Sequence, residues 1–268
     1  MRIGKKEFDT KNNTYIMGIL NVTPDSFSDG GKFNNLDAAL YHAEEMIKEG
    51  ADIIDIGGES TRPGHVVITD DEEISRVTPV IEAVKARFDA PLSIDTYKGN
   101  VAEAALQAGA DLVNDIWGFK HDRRVAQLTA QYGVACCLMH NKAEAVYDNF
   151  LEDMVNDMEE CVRIAREAGV ADDKIILDPG VGFGKTYEMN LETIHHVDVL
   201  NRLGFPVLLG TSRKSVIGLT LDLPADQRVE GTLVTTVMGV MKGCSFVRVH
   251  DIKENKRAIQ MTKAILGR

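Results

Sequence analysis

Polar and ionisable side chains recur where short apolar runs of this chain end. Such runs stop at or just before Asp95, Asn114, Asp178, Lys214 and Arg248. Carboxylates, an amide and two cations that converge in a buried place are costly unless a ligand satisfies their hydrogen bonds. Asp beside Asn suits a flat heterocycle with adjacent N–H donors, and Lys can donate to a ring carbonyl or nitrogen. The planar guanidinium of Arg can stack on a ring or hold phosphate oxygens.

Other strand ends carry polar residues too, and the simplest interpretation of any one of them is local. Loops begin there, so Asp55 and Asp115 are interpreted as residues that cap turns or pair with near neighbours, and Glu59 as one that holds a loop together. For the whole set this interpretation is weaker, because loop starts do not require acids, amides and cations on a single rim. The set therefore favours a ligand site.

The elements that position these residues alternate strictly between helix and strand. Helical stretches end at a Gly that is followed by an apolar run, as expected for a left-handed position after a helix; these are Gly50, Gly109, Gly133, Gly169, Gly204 and Gly243. The expected strands are 15–20, 52–57, 91–95, 111–115, 134–139, 174–178, 206–210 and 244–249. Helices are expected at 36–49, 71–88, 98–108, 148–168, 190–203, 227–242 and 252–266.

This alternation predicts a parallel sheet, and eight units in one chain of 268 residues predict a (β/α)8 TIM barrel. A doubly wound open sheet is the main alternative. Residues 1–14 precede the first strand and are expected to form a small hairpin-like extension, with residues 1–268 as one domain. In a TIM barrel the active site lies at the carboxyl ends of the strands, which is where the polar set falls.

Two loops bear on the ligand. His250 follows the last strand and precedes a helix with Asp251 as its expected N-cap, and barrels often bind phosphate in this region. The segment GVGFGKT, residues 180–186, lacks the spacing of a phosphate-binding P-loop. The first loop, residues 21–35, is long and rich in Ser, Asp, Asn and Gly, which is typical of a lid. These features indicate a polar heterocycle with a phosphate-type group.

Composition excludes several function classes. The net charge is −11 and the pI about 5.1, which disfavours nucleic acid and anionic membranes as partners. No signal peptide or membrane span is expected. The four cysteines lack zinc-ligand spacing and are interpreted as reduced thiols of a cytoplasmic protein. The adjacent Cys136 and Cys137 are expected on opposite faces of one strand.

Eight segments together resemble the dihydropteroate synthase family. They are GILNVTPDSFSDGG (18–31), ADIIDIGGESTRPG (51–64), PLSIDT (91–96), LVNDIWG (112–118), LMHN (138–141), ILDPGVGFGKT (176–186), GTSRKS (210–215) and FVRVHD (246–251). The resemblance implies a (β/α)8 barrel that condenses 7,8-dihydropterin-6-ylmethyl diphosphate with p-aminobenzoate in folate biosynthesis. It also implies Mg2+, a homodimer and competition by sulfonamides.

The resemblance assigns roles to residues of this chain. Asp95, Asn114 and Asp178 would hydrogen-bond the pterin edge, with Lys214 as a donor and Arg248 over the ring face. The remaining roles are an apolar wall from Met139 and Phe183, Mg2+ and diphosphate positioning by Asn21, diphosphate binding by Arg248 and His250, a p-aminobenzoate site from Thr61, Arg62, Pro63, Phe183 and Ser215, and a lid from residues 25–31. Asp95, Asp178, Lys214 and Arg248 would be the catalytic residues.

Three other functions fit parts of the pattern. A pterin-dependent methyltransferase domain shares the barrel and the pterin-binding carboxylates, but the first loop and GTSRKS favour the synthase. A non-catalytic pterin-binding paralogue would keep the ligand residues without turnover. A generic phosphate-sugar barrel enzyme would explain His250, but not the combination of Asp95, Asn114 and Asp178.

Overall fold

The structure is a computed structural model that describes residues 1–23, 32–60 and 66–267, with the backbone alone for residues 32–35. Its strands are β1 Arg2–Ile3, β2 Lys6–Glu7, β3 Tyr15–Asn21, β4 Ile53–Gly57, β5 Leu92–Asp95, β6 Leu112–Asp115, β7 Ala135–Met139, β8 Ile175–Asp178, β9 Leu208–Leu209 and β10 Phe246–Val249. Its helices are α1 Lys32–Glu49, α2 Asp70–Arg87, α3 Gly99–Ala108, α4 Arg123–Tyr132, α5 Phe150–Glu167, α6 Tyr187–His195, α7 Ser215–Leu221, α8 Val229–Met241 and α9 Ile252–Ile265.

The strands β3 to β10 form one parallel sheet in the order β8-β7-β6-β5-β4-β3-β10-β9. A bridge between Leu177 and Val207 joins the two edges of that sheet. Apart from β3 and β10, the first and last strands of the barrel, neighbours in the sheet are consecutive along the chain. The described strands therefore lack a switch point of the kind that an open doubly wound sheet requires. The TIM-barrel prediction is confirmed, and the open-sheet alternative is wrong.

The hairpin prediction for the first residues is also confirmed. β1 pairs antiparallel with β2, and Ile3 and Phe8 are buried against Met17, Ile53 and Phe246 at the start of the barrel strands. The hairpin thus closes the barrel at the end opposite the carboxyl ends of the strands, so it leaves the predicted active face uncovered.

Strand residues alternate between the barrel interior and the layer beneath the helices. Ile53, Cys137 and Phe246 belong to the interior cluster, whereas Cys136 and residues that alternate with the interior set pack against the helices. Both faces of the sheet are therefore covered, which explains why the strand sequences are almost continuously apolar. The prediction that Cys136 and Cys137 point to opposite faces is confirmed.

The backbone shows where the sequence predictions were accurate and where they were not. All six helix-ending glycines have φ between +63° and +110°. The single helix expected over 190–203 was wrong: α6 ends at His195, and residues 197–203 form a 3-10 helix. β-branched Val197 and Val199 disfavour continuation of the α-helix there. Strand β9 is shorter than expected at both ends, and Pro206, which has no N–H for the ladder, lies outside it.

Candidate active site

Side chains along each strand point alternately into and out of the barrel, and this alternation explains which polar residues converge. Each strand places a side chain inside the barrel two residues after the one in the interior cluster. The residues at these inward positions near the carboxyl ends are Asp55 (two after Ile53), Asn114 (two after Leu112), Met139 (two after Cys137), Asp178 (two after Ile176) and Arg248 (two after Phe246). Asn21 lies four residues after Met17, and Asp95 alternates with the outward Leu92 and Ile94.

Arg248 is the charged centre of this layer. Its Nε donates to Asp55 Oδ2 at 2.6 Å, and its Nη2 donates to Asp95 Oδ2 at 2.7 Å. Burial raises the pKa of the Asp95 carboxyl above its usual range, and the Arg248 guanidinium opposes that shift. Asp95 Oδ1 is buried and accepts no hydrogen bond from the described residues. One oxygen of Asp95 is therefore without a partner among the described residues, while the other fixes Arg248.

Asp55 was interpreted as a locally paired residue, and the structure corrects that. Its side chain is fully buried, and Oδ2 accepts from Arg248, which lies 193 positions further along the chain, and from Asn114 Nδ2 at 3.2 Å. One carboxylate oxygen thus orients two predicted pterin ligands. A carboxylate at an inward strand position needs a partner, and that position is the sequence feature that could have indicated its role.

Asp115 and Glu59 fit their local interpretations. Asp115 accepts hydrogen bonds from the backbone N–H of Trp117 at 2.7 Å and of Phe119 at 3.1 Å, so it caps the turn after β6. Glu59 accepts from Lys98 Nζ at 2.6 Å and from the backbone N–H of Ile68 at 3.0 Å, so it ties down the residues before α2. Both predictions are confirmed.

Asp178 and Lys214 both form hydrogen bonds with the loop of residues 179–186. This segment joins β8 to α6 and is called here the β8–α6 loop. Asp178 Oδ1 accepts from the N–H of Gly180 at 2.7 Å. Lys214 Nζ donates to the carbonyl of Val181 and lies 4.5 Å from the centre of the Phe183 ring. Burial lowers the pKa of Lys214 to about 8, against the opposing charge of Asp178. Burial raises the pKa of Asp178, against that of Lys214.

Two glycines, Gly57 and Gly210, border the polar layer at the barrel mouth. A Cβ on Gly210 would lie 3.5 Å from Asp178 Oδ2. A Cβ on Gly57 would lie 3.7 Å from Asn21 Oδ1 and 3.8 Å from Asp95 Oδ2. The amide oxygen of Asn21 and the carboxylate of Asp95 therefore border the same space.

The apolar side of the mouth is a cluster of aromatic and aliphatic side chains. Met139 is buried with Tyr97 and Ile116, and Trp117 and Phe183 pack against them. The predicted wall residues Met139 and Phe183 are thus brought together beside the polar layer. Such a wall suits one face of a flat ring.

The segments after β9 and β10 are tied to each other. Ser212 Oγ lies 3.0 Å from His250 Nδ1 and accepts from the backbone N–H of His250 at 3.1 Å. Arg213 has a left-handed φ of +58° and donates from Nε to Asp251 Oδ2 at 3.1 Å. Asp251 occupies the N-cap position of α9 as expected, but its side chain makes no capping hydrogen bond because it pairs with Arg213. Ser215 is exposed at the start of α7.

Part of the predicted site lies outside the described residues. This applies to Thr61, Arg62 and Pro63 and to the lid residues 25–31, so their roles stay predictions. Within the described ranges, no three His, Cys, Asp or Glu side chains converge as a metal site. A bilayer-spanning helix is likewise absent from residues 1–23, 32–60 and 66–267.

Comparison with known proteins decides the family. The sequence profile of the pterin binding enzyme family matches residues 17–250. The dihydropteroate synthase of Clostridium beijerinckii is 61% identical, with all of both chains covered, and that of Bacillus subtilis is 54% identical over 96% of this chain and 90% of its own length. The chain belongs to the dihydropteroate synthase family.

Solved members of the dihydropteroate synthase family share the fold closely. The Clostridium difficile enzyme, crystallised in the presence of pteroic acid, has a TM-score of 0.95 and 52% identity, with 97% of this chain and 99% of that chain covered. The Xanthomonas albilineans enzyme with 4-aminobenzoic acid has a TM-score of 0.91 and 39% identity, covering 96% and 94%. This level of similarity favours the synthases over the methyltransferase alternative.

Proposed function

We propose that the chain condenses 7,8-dihydropterin-6-ylmethyl diphosphate with p-aminobenzoate to give dihydropteroate and diphosphate, a step of folate biosynthesis. The observation that carries the proposal is the inward layer of Asp95, Asn114 and Asp178 with Lys214 and Arg248, at the barrel mouth of a chain in this family. The pteroic acid and 4-aminobenzoic acid in the solved relatives support the choice of substrates.

The pterin lies in the polar layer. Its edge presents adjacent N–H donors, which suit the carboxylate of Asp178 and the buried, unpaired Oδ1 of Asp95. Asn114 and Lys214 supply donors to ring nitrogen and carbonyl, and Met139 and Phe183 form the wall beside the ring. A flat heterocycle satisfies the polar groups whose burial would otherwise be costly.

Diphosphate binding is assigned to Arg248, His250 and Asn21. Asp55 and Asp95 hold Arg248 through Nε and Nη2, so among the described contacts Nη1 is left for a phosphate oxygen. The amide oxygen of Asn21 is a hard donor of the kind that Mg2+ prefers, and one protein oxygen beside substrate phosphates suits this ion. When bound, Mg2+ would stabilise negative charge on the diphosphate.

The chemistry needs no protein nucleophile. The C–O bond to the diphosphate breaks, and its electron pair departs with that leaving group, which the Arg248 guanidinium stabilises. The pterin methylene becomes cation-like, and the carboxylates of Asp95 and Asp178 offer negative charge near the ring. The neutral amine of p-aminobenzoate then attacks the methylene carbon and loses a proton. Exclusion of water matters, because water would capture the same carbon.

The second substrate is placed next to Phe183 and Ser215. Phe183 lies at the mouth beside Lys214, and Ser215 is exposed at the start of α7, so both can line a site outside the pterin. Thr61, Arg62 and Pro63 are proposed to complete it, and residues 25–31 to close over it. Sulfonamides are expected to compete with p-aminobenzoate there.

The decisive test is diphosphate release from the purified chain supplied with pterin diphosphate and Mg2+. Release that depends on p-aminobenzoate, with dihydropteroate formed, supports the synthase. Tight pterin binding without this product would instead identify a binding paralogue. The order of binding is a second check: p-aminobenzoate that binds tightly without diphosphate or the pterin would contradict the proposed mechanism.

The chain is also proposed to form a homodimer and to act in the cytoplasm. Apolar side chains of α7 and α8 are exposed, among them Leu219, Val234 and Met241 at 60–69%, and a partner copy would cover them. A monomer in sedimentation experiments would contradict the dimer. The four cysteines are free thiols, which suits a reducing compartment.

A further inference from the structure

Lys185 is a part-buried cation that the proposed reaction does not use. It lies near the end of the β8–α6 loop, and its Nζ is within hydrogen-bond distance of three acceptors. These are His140 Nδ1 at 2.7 Å, the carbonyl of Gly180 at 2.9 Å and the carbonyl of Phe183 at 3.1 Å. An ammonium has three N–H donors and no acceptor, so this arrangement uses every donor that it has.

His140 is suited to be the fixed partner of this ammonium. It is fully buried at the exit of β7, and its backbone N–H donates to the carbonyl of Asp178 at 2.9 Å. Burial and nearby lysines lower the pKa of His140 to about 2, so the ring is neutral and Nδ1 can accept. The barrel itself therefore supplies the point to which Lys185 is attached.

The loop held by Lys185 carries groups of the proposed site. The N–H of Gly180 binds Asp178, the Lys214 side chain passes over Gly182 and reaches the carbonyl of Val181, and the Phe183 ring lies under the Lys214 ammonium. Gly180 has a φ of +67°, and a Cβ there would lie 1.9 Å from the carbonyl oxygen of His140. The loop thus packs directly on the residues that follow β7, and the hydrogen bond between Lys185 and His140 adds to that contact.

We propose that Lys185 is a positioning residue, which fixes the β8–α6 loop on His140 and thereby places Lys214 and Phe183 for the two substrates. The proposal rests on the proposed function for its kinetic consequence, but its structural part stands without turnover. Removal of the ammonium takes away the Lys185 donor from the carbonyl of Phe183 and leaves the carbonyl of Gly180 with the backbone N–H of Phe183 at 3.1 Å. The loop should therefore open locally while the barrel stays folded.

Hydrogen exchange in the ligand-free chain tests the structural part. Lys185→Met keeps the length of the side chain and removes its donors. Exchange of the amides of Gly180 and Phe183 should accelerate by about tenfold or more, while the amides of β7 exchange as in the wild type. Because burial lowers the pKa of Lys185 to about 7, the comparison is made at about pH 6, where the ammonium prevails.

Lys142→Met is the matched control. Lys142 lies in the same region, but its Nζ contacts only the carbonyl of Val146 at 3.4 Å and the Tyr147 ring, among the described contacts. Its loop exchange should match that of the wild type. His140→Gln, which keeps an acceptor, should preserve the loop better than His140→Leu, which has none.

Steady-state kinetics test the consequence for substrates. Lys185→Met should raise the KM for p-aminobenzoate by about tenfold through displacement of Phe183, with a smaller change in kcat. Unchanged loop exchange with unchanged KM would overturn the proposal. So would faster exchange throughout the barrel with unchanged KM, because Lys185 would then be a general stabilising residue. An inactive wild type would refute the proposed function alone, since the exchange comparison still decides the role of Lys185.

Discussion

Asp55→Asn should weaken pterin binding although Asp55 need not touch the pterin. The substitution keeps the size of the side chain and one oxygen acceptor, but it removes the negative charge. In the structure Asp55 Oδ2 holds Arg248 Nε at 2.6 Å and Asn114 Nδ2 at 3.2 Å. Arg248 would keep its contact with Asp95, so the guanidinium should lose orientation without leaving the layer.

The magnitude follows from the change in the kind of hydrogen bond. A hydrogen bond to a charged group contributes about 1.5–3 kcal/mol, whereas a neutral one contributes about 0.5–1.5 kcal/mol. Replacing the first kind by the second at Arg248 should cost roughly 1–2 kcal/mol of ligand-binding free energy. That corresponds to an affinity for pteroic acid that is weaker by about fivefold to thirtyfold.

The fluorescence of Trp117 offers an assay, because it is the single tryptophan of the chain and packs against the cluster that contains Met139. Asp52→Asn is the matched control. Asp52 lies just before the same strand, at the opposite end of the barrel, and pairs with Lys6 at 2.7 Å. Wild-type affinity in Asp55→Asn would refute the reasoning. Equal weakening in both variants would also do so, because the effect would then reflect general stability.

Three further predictions concern the rest of the site. Pteroic acid affinity should fall as the pH rises through about 8, where the Lys214 ammonium loses its proton, and Lys214→Arg should move that loss to higher pH; an unmoved pH profile would contradict the role of Lys214. Asp178→Ala should cost about 2–4 kcal/mol of pteroic acid binding, and normal binding in titration calorimetry would show that the pterin lies elsewhere. Arg213→Gly should be more stable to urea than Arg213→Ala by about 1 kcal/mol, since both lose the Asp251 pair but only Gly relieves the left-handed backbone; a more stable Ala variant would exclude strain at this position.

Much of the fold was predictable because the βα unit is short and recurs along the chain, and because local sequence features mark where its helices and strands end. Helix-ending glycines precede six of the eight barrel strands, and the apolar runs indicate strands covered on both sides. Boundaries failed where local propensity and packing compete, as at Val197 and Val199, where one predicted helix is in fact two segments. Those limits follow from side-chain effects over a few residues, which a pattern of glycines does not report.

The proposed ligands were predictable for a different reason. Asp95, Asn114, Asp178 and Arg248 all lie near strand ends, and the barrel brings strand ends together. Position along each strand predicted that they share one rim, and the family resemblance assigned their roles. The structure adds the contacts among them, such as that between Arg248 and Asp95, which join positions 153 residues apart. No local pattern specifies such a pair before the order of the strands is known.

An interpretation based on strand ends misses the residues that position the substrate-binding side chains. Asp55 lies inside β4, before its end, and Lys185 lies at the far end of a loop, so neither stands where a substrate-binding residue is expected. Asp55 is fully buried and holds Arg248 of β10, and the part-buried Lys185 contacts His140, which directly follows β7. A buried charge requires such partners, since burial without them would cost several kcal/mol. In a barrel of this kind, a buried charged residue that does not contact the substrate is therefore a candidate for a positioning residue. Such a residue holds a side chain that does contact the substrate.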